Sequence, residues 1–319
     1  MDSARHYPVS VVVCDVDGLK LINDILGHEE GDRSLKAADQ TIRGPFRTSD
    51  AVARIGGDEF VAILPKTGER TAADICARIR KAVDAYNQGE CDLPLFLSVG
   101  YATGTEPSEG IREILRWADS HMYANKYQQT VESQKKIFDF FLRLLASRAS
   151  TDEGHTLRIQ RMVHLLGQAI GLPPDEIKNL VLLSKVYDIG KIAVDEAIIT
   201  KDSALTSDEW EEVEGHSEVG ERIARISPET AVVADFILQH HERWDGGGYP
   251  RGLRGRNIHL YSCILAVVDA YQAMTSPRPY REPLSHKEAL EELKKHRGTQ
   301  FDPRLVDIFV SLFDQEYLM

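Results

Sequence analysis

The stretch Ala51-Val52-Ala53-Arg54-Ile55-Gly56-Gly57-Asp58-Glu59-Phe60-Val61-Ala62-Ile63-Leu64 holds two short apolar runs on either side of a Gly-Gly pair. That pattern predicts a β-hairpin, with strands over 51–55 and 60–64. Gly56 and Gly57 allow a tight turn where backbone can approach a ligand. Asp58 and Glu59 follow directly on that turn. Residues 9–14 form an apolar, β-branched run, the mark of a buried strand, which ends at Asp15-Val16-Asp17. If the hairpin lies beside this strand, Asp15 and Asp58 converge. Paired carboxylates of this kind suit Mg²⁺ carrying substrate phosphates. Gly18-Leu19-Lys20 then opens a helix, and free N–H groups at a helix start favour phosphate.

The same periodicities organise the rest of the chain. Helices are predicted over 19–26, 34–46 and 71–86, and a strand over 95–102. The first half is therefore an α/β domain around a mixed or antiparallel sheet. Residues 111–153 contain neither Gly nor Pro. They read as helix, either one long connector or two helices with a polar break near 128–133. Such a connector is a stiff link through which one domain senses the other, or a passive spacer. Beyond residue 150 strand signals nearly vanish. Helices fit 157–170, 177–188, 207–225, 228–242, 260–274, 286–296 and 303–313, so the second half is all-α. The expected domains are 1–128, a helical connector over 129–149, and 150–319.

A chain of 319 residues is long for one domain and comfortable for two. Its 38 basic against 50 acidic residues give a net charge of −12, which argues against a broad nucleic-acid-binding face. No apolar run approaches the roughly 20 residues needed to cross a bilayer. MDSARHYPVS lacks the order of a signal peptide. Cys14, Cys76, Cys91 and Cys263 form no CxxC pair, so reduced thiols in a cytoplasmic protein are expected.

Residues 9–126 resemble the GGDEF diguanylate cyclase domain. The resemblance rests on Gly56-Gly57-Asp58-Glu59-Phe60, on the run from Asp15 through Gly18-Leu19-Lys20-Leu21-Ile22-Asn23-Asp24, and on Gly27-His28-Glu29-Glu30-Gly31-Asp32. It implies that Asp15, Asp58 and the Val16 carbonyl hold Mg²⁺ or Mn²⁺, and that Glu59 helps activate a 3′-hydroxyl. It further implies that Asn23 and Asp32 read guanine, while Gly18, Leu19, Lys20 and Lys126 attend the phosphates. The implied reaction condenses two GTP into cyclic di-GMP across a homodimer. Arg47-Thr48-Ser49-Asp50 is similar to the family's RxxD inhibitory site, where Arg47 and Asp50 bind the product. Two positions depart from the family. Thr130 stands where a phosphate-binding arginine is usual, and the helical segment with a DxLT motif does not precede Val9, which predicts a domain truncated at its front.

Residues 150–313 resemble the HD-GYP phosphodiesterase domain. The diagnostic run is His240-His241-Glu242-Arg243-Trp244-Asp245-Gly246-Gly247-Gly248-Tyr249-Pro250, supported by His155, Asp188-Ile189-Gly190-Lys191, His216 and Val268-Asp269-Ala270-Tyr271. The resemblance implies that Asp188 bridges two ions of iron, manganese or zinc. His216, His240 and His241 complete one site, and His155 and Asp269 belong to the other. Lys191 assists the leaving group, and Arg278 and Arg281 hold phosphates. The implied reaction is metal-assisted hydrolysis of cyclic di-GMP. The histidine that names the family is here Tyr187, and a phenol is a poor ligand for a divalent ion. The first metal site is therefore expected to be weak or empty, with sub-stoichiometric metal. Thr151 replaces a glutamate found in some members, which argues against a third ion. The competing expectation is a sensor in which one domain binds GTP or cyclic di-GMP without turnover. A third makes the Gly248-Tyr249-Pro250 loop a contact for a GGDEF or receptor protein partner.

Overall fold

A computed structural model describes residues 4–89, 93–148, 153–276 and 282–314. The chain divides into two compact units, Met1–Phe140 and Phe141–Met319.

The first unit is built on a four-stranded antiparallel sheet in the order β2-β3-β1-β4, where β1 is Val9–Val16, β2 Ala51–Arg54, β3 Glu59–Leu64 and β4 Leu97–Gly104. Every residue of β1 is buried, because helices cover both faces of the sheet. Val12, Cys14 and Val16 face a core shared with α1 (Leu19–Leu26), α2 (His28–Arg43) and α3 (Glu69–Gln88). Val11 and Val13 face Ile114, Ala118 and Met122 of α4 (Ile111–Arg148). Gly100 makes the second packing possible, since a Cβ there would lie 2.1 Å from the Met122 nitrogen.

The region 111–148 is one unbroken helix, which settles the alternative between one helix and two. The helix expected over 34–46 begins earlier, at His28, where Glu29 and Glu30 complement the exposed N–H groups of its first turn, and it ends before Pro45. The last strand lies two residues later than its apolar run suggested.

Among its described residues the second unit is built of helices joined by loops, with one isolated bridge between Arg297 and Phe301. It contains α5 (Glu153–Ala169), α6 (Pro174–Val186), α7 (Glu196–Ile199), α8 (Ser207–Glu214), α9 (His216–Ala224), α10 (Pro228–Ala231), α11 (Ala234–Leu238), α12 (Leu260–Thr275), α13 (His286–Lys295) and α14 (Pro303–Phe313). Two long predicted helices are broken. The run 207–225 divides at Gly215, a residue of low helix propensity. The run 228–242 gives two short helices, because Val233 leaves helical geometry at φ −111°. Both breaks serve the site, since His216 opens α9 and His240 and His241 follow the end of α11.

Candidate functional site

In the first unit the hairpin does lie beside β1. Asp15 and Glu59 are register partners, and the Val16 N–H donates to the Asp58 carbonyl at 2.9 Å. Arg54 pins the turn by donating to the carbonyls of Gly56 at 3.1 Å and Gly57 at 2.7 Å. Asp15 is buried, and burial pushes its carboxyl above the usual range, opposed by a hydrogen bond from Lys126 at 2.6 Å. The nearby charge of Asp58 adds to the upward push. Asp17, two residues on, is raised to about 6, again mainly by burial. The Ser98 hydroxyl donates to it at 2.9 Å, and Lys126 lies 3.8 Å away. One ammonium thus compensates a knot of carboxylates, a setting suited to a divalent cation.

Gly18 sits in left-handed backbone at φ 77° and starts α1, with Leu19 buried and Lys20 exposed. Asn23 is half-buried against α2, and Asp32 is exposed. Gly31 decides the position of Asn23, because a Cβ on it would fall 1.7 Å from the Asn23 Oδ1. At the RxxD stretch, the Arg47 N–H donates to the Asp50 carboxylate at 2.8 Å, and the Arg47 side chain is exposed.

In the second unit, ligand atoms of Asp188, His216, His240 and His241 all lie within 4.8 Å of one another. The His216 Nε2 is 3.3 Å from the His240 Nε2 and 3.7 Å from the Asp188 Oδ1. The other ring nitrogen of each histidine is tied down, His216 Nδ1 to the Val213 carbonyl and His240 Nδ1 to the Ile237 carbonyl. These bonds fix the tautomer that leaves both Nε2 lone pairs facing the cluster. Burial lowers all three histidines, His216 to about 4, so they are neutral at physiological pH, as ligands must be. Burial opposes ionisation of Asp188, but Lys191, His216 and His240 outweigh it and hold the carboxyl well below its usual range. Lys191 donates to Asp188 Oδ2 at 2.7 Å, while the buried Oδ1 has no hydrogen-bond partner among the described residues. Three imidazole nitrogens and one orphaned carboxylate oxygen fit a transition-metal ion.

His155 on α5 and Asp269 on α12 lie outside this group of four. Tyr187 is buried, and its phenol donates to the Asp269 Oδ1 at 2.7 Å. Arg278 and Arg281 lie outside the described residues, as does Thr151, and nothing is described of the Thr130 side chain.

Sequence reasoning passed over several supports. Gly190 lets two backbones meet, since its Cβ would lie 1.9 Å from the His216 carbonyl oxygen. The buried Glu242 accepts from the N–H groups of Arg251 and Leu253, both at 2.8 Å, and so ties the loop after the paired histidines. Tyr249 stacks on His241 with ring centroids 4.9 Å apart. Glu242 and Asp17 stand inside the motifs themselves, and only burial separates their roles from those of their neighbours.

Comparison with known proteins follows the same division. Residues 139–305 match the family model of the HD domain, and residues 1–131 match that of the diguanylate cyclase GGDEF domain. A cyclic di-GMP phosphodiesterase of Thermotoga maritima is 32% identical over 225 residues, which are 63% of this chain and 61% of that protein. The cyclic di-GMP phosphodiesterase response regulator RpfG of Xanthomonas campestris is 36% identical over 170 residues, 52% of this chain and 45% of that protein. The chain therefore spans less than two thirds of the length of these relatives. Among solved structures, the GGEEF domain of a diguanylate cyclase from Vibrio cholerae matches at 28% identity, covering 38% of this chain and 78% of that one, with a TM-score of 0.35. No helix among the described residues is long and apolar enough to cross a membrane. The chain belongs to the HD domain family, and ahead of that domain it carries a GGDEF domain of the diguanylate cyclase type.

Proposed function

We propose that this chain turns over cyclic di-GMP, with an HD half (150–319) that hydrolyses it and a GGDEF half (1–128) that makes it from GTP. The observation that carries the first activity is the cluster of Asp188, His216, His240 and His241 with its unpaired Asp188 oxygen. An ion held there supplies Lewis acidity toward a phosphoryl oxygen. Lys191 keeps Asp188 ionised and orients its free oxygen toward the histidines. Lys191 also brings a positive charge that suits a phosphodiester and its departing oxygen. Tyr187 engages Asp269, so the site is read as holding one tight ion rather than two. The names of the cited relatives support cyclic di-GMP as substrate.

In the GGDEF half, Asp15, Asp58 and Glu59 meet at the end of the sheet. There they suit Mg²⁺ and the phosphates of GTP, with Glu59 beside the attacking hydroxyl. Condensation needs two such halves, hence a homodimer, and GTP as substrate suits a cytoplasmic protein.

The test incubates the purified protein with cyclic di-GMP and Mn²⁺ or Fe²⁺ under reducing conditions, and separately with GTP and Mg²⁺, and resolves the products by chromatography. Loss of hydrolysis in His240→Ala, and of synthesis in Asp58→Ala or Glu59→Ala, is expected. Binding of cyclic di-GMP with no hydrolysis under either metal would replace this reading with a sensor, which the Tyr187–Asp269 pairing also favours.

A further inference from the structure

β4 closes one end of the sheet order, so one of its edges has no strand beside it. That edge forms the floor of a groove of about 610 Å³ whose walls are α3 and α4. The backbone facing the groove is identified by parity. The Val99 N–H points to Asn125 at 3.4 Å, its carbonyl accepts from Arg80 at 3.3 Å, and the Tyr101 carbonyl meets His121 at 2.8 Å. Residues 99, 101 and 103 therefore turn their polar groups away from β1. Side chains serve the carbonyls of Val99 and Tyr101. Among the described residues, nothing accepts from the N–H groups of Tyr101 and Thr103.

We propose that this edge binds an extended segment of a partner protein, which adds a fifth strand to the sheet. An extended residue fills about 160 Å³, from strand spacings of about 3.4 and 4.8 Å and a sheet thickness of about 10 Å. The groove thus houses about four residues. A second copy is disfavoured as occupant. Its β4 carries its own α3 and α4, and these walls would meet before the two edges came within about 4.8 Å.

The walls specify the chemistry of the segment. Val99 and Tyr101 face the α3 side of the sheet, as their packing with its core shows, and Thr103 follows by alternation. A residue paired opposite Val99 projects toward Arg80, an exposed cation with no carboxylate partner among the described residues. A residue paired opposite Thr103 projects toward the exposed Glu69, which lines the same groove. Gly100 and Ala102 lie on the α4 side, where Trp117 is 39% exposed. The segment that fits runs antiparallel to β4. It presents a cation, then a carboxylate four residues on, with apolar side chains between them turned toward Trp117.

The probe is the blocked peptide Thr-Lys-Val-Thr-Val-Asp-Thr, titrated to millimolar concentration into the isotope-labelled full chain and followed by amide shifts. Saturable shifts at Tyr101 and Thr103 are expected. Arg80→Glu should weaken binding at least five-fold, and replacing the peptide's Asp with Arg should restore it. A peptide with proline at its central Thr should not bind. Absence of saturable shifts, or shifts indifferent to Arg80→Glu and to the proline, overturns the proposal. So does a dimer in sedimentation that Arg80→Glu dissociates, which would make a second copy the occupant.

Discussion

Tyr187 stands where a metal-binding histidine is expected, and its replacement separates two roles. In Tyr187→Phe the ring is kept, but the 2.7 Å hydrogen bond to Asp269 is lost in a buried setting. Removing a donor from a carboxylate costs about 1.5–3 kcal/mol. For a unit of this size that lowers the unfolding midpoint by about 3–12 °C. The four-residue cluster does not use the phenol, so metal content should stay at about one equivalent. In Tyr187→His the imidazole enters a space bordered by Asp188 and Asp269, and metal content should rise toward about two equivalents. Both variants are purified, dialysed against a weak chelator and read by elemental analysis, with calorimetry in parallel. Two tight equivalents in the unaltered protein, or no rise in Tyr187→His, would refute this account of the site. An unchanged midpoint in Tyr187→Phe would show that the Asp269 contact contributes nothing.

Other outcomes follow from particular contacts. Gly31→Ala places a methyl group against the flexible end of Asn23, so the fold should survive while GTP affinity falls about ten-fold, as in Asn23→Ala, measured by calorimetric titration. Gly190→Ala differs in kind, because its methyl group meets backbone at His216 and Gly220. It should cost more than about 3 kcal/mol in urea unfolding and empty the metal site. Chelated protein should lose stability in mild acid. The His216 pKa is about 4 when folded against about 6.5 when unfolded, so the unfolded chain takes up the proton first as pH falls below 6.5. The loss grows to the order of 3 kcal/mol near pH 4 and vanishes above pH 7, which urea midpoints at several pH values will show. A midpoint independent of pH between 7.5 and 5 would contradict the burial of that imidazole.

Much of the site was legible because its chemistry is local. The Gly-Gly turn and the apolar run at 9–14 were enough to expect Asp15 beside Asp58, and the sheet register brings them to one end. The expected survivors of the Tyr187 substitution, Asp188, His216, His240 and His241, are the residues that gather. What the phenol does instead was not legible, because the Asp269 it reaches is distant in sequence and the contact depends on how α6 and α12 pack. The apolar spacing over 207–225 and 228–242 continues across the breaks at Gly215 and Val233, so it carries no sign of where one helix ends and the next begins. Gly31 and Gly190 carry no periodic signal, since what matters there is the atom a side chain would strike.

The carbonyls that hold His216 and His240 belong to the last turns of α8 and α11, where the regular ladder of helical N–H donors ends and the imidazoles add to the bonds from the cap N–H groups of Gly215 and Gln239. Each imidazole therefore braces a helix end as well as facing the candidate metal cluster. Removing either ring should loosen a helix end as well as the proposed ion site. Alanine replacement in this pair will overstate the contribution of coordination to stability, by an amount that chelation of the intact protein leaves out. The difference between those two losses measures how firmly the fold assembles its metal site before any metal arrives.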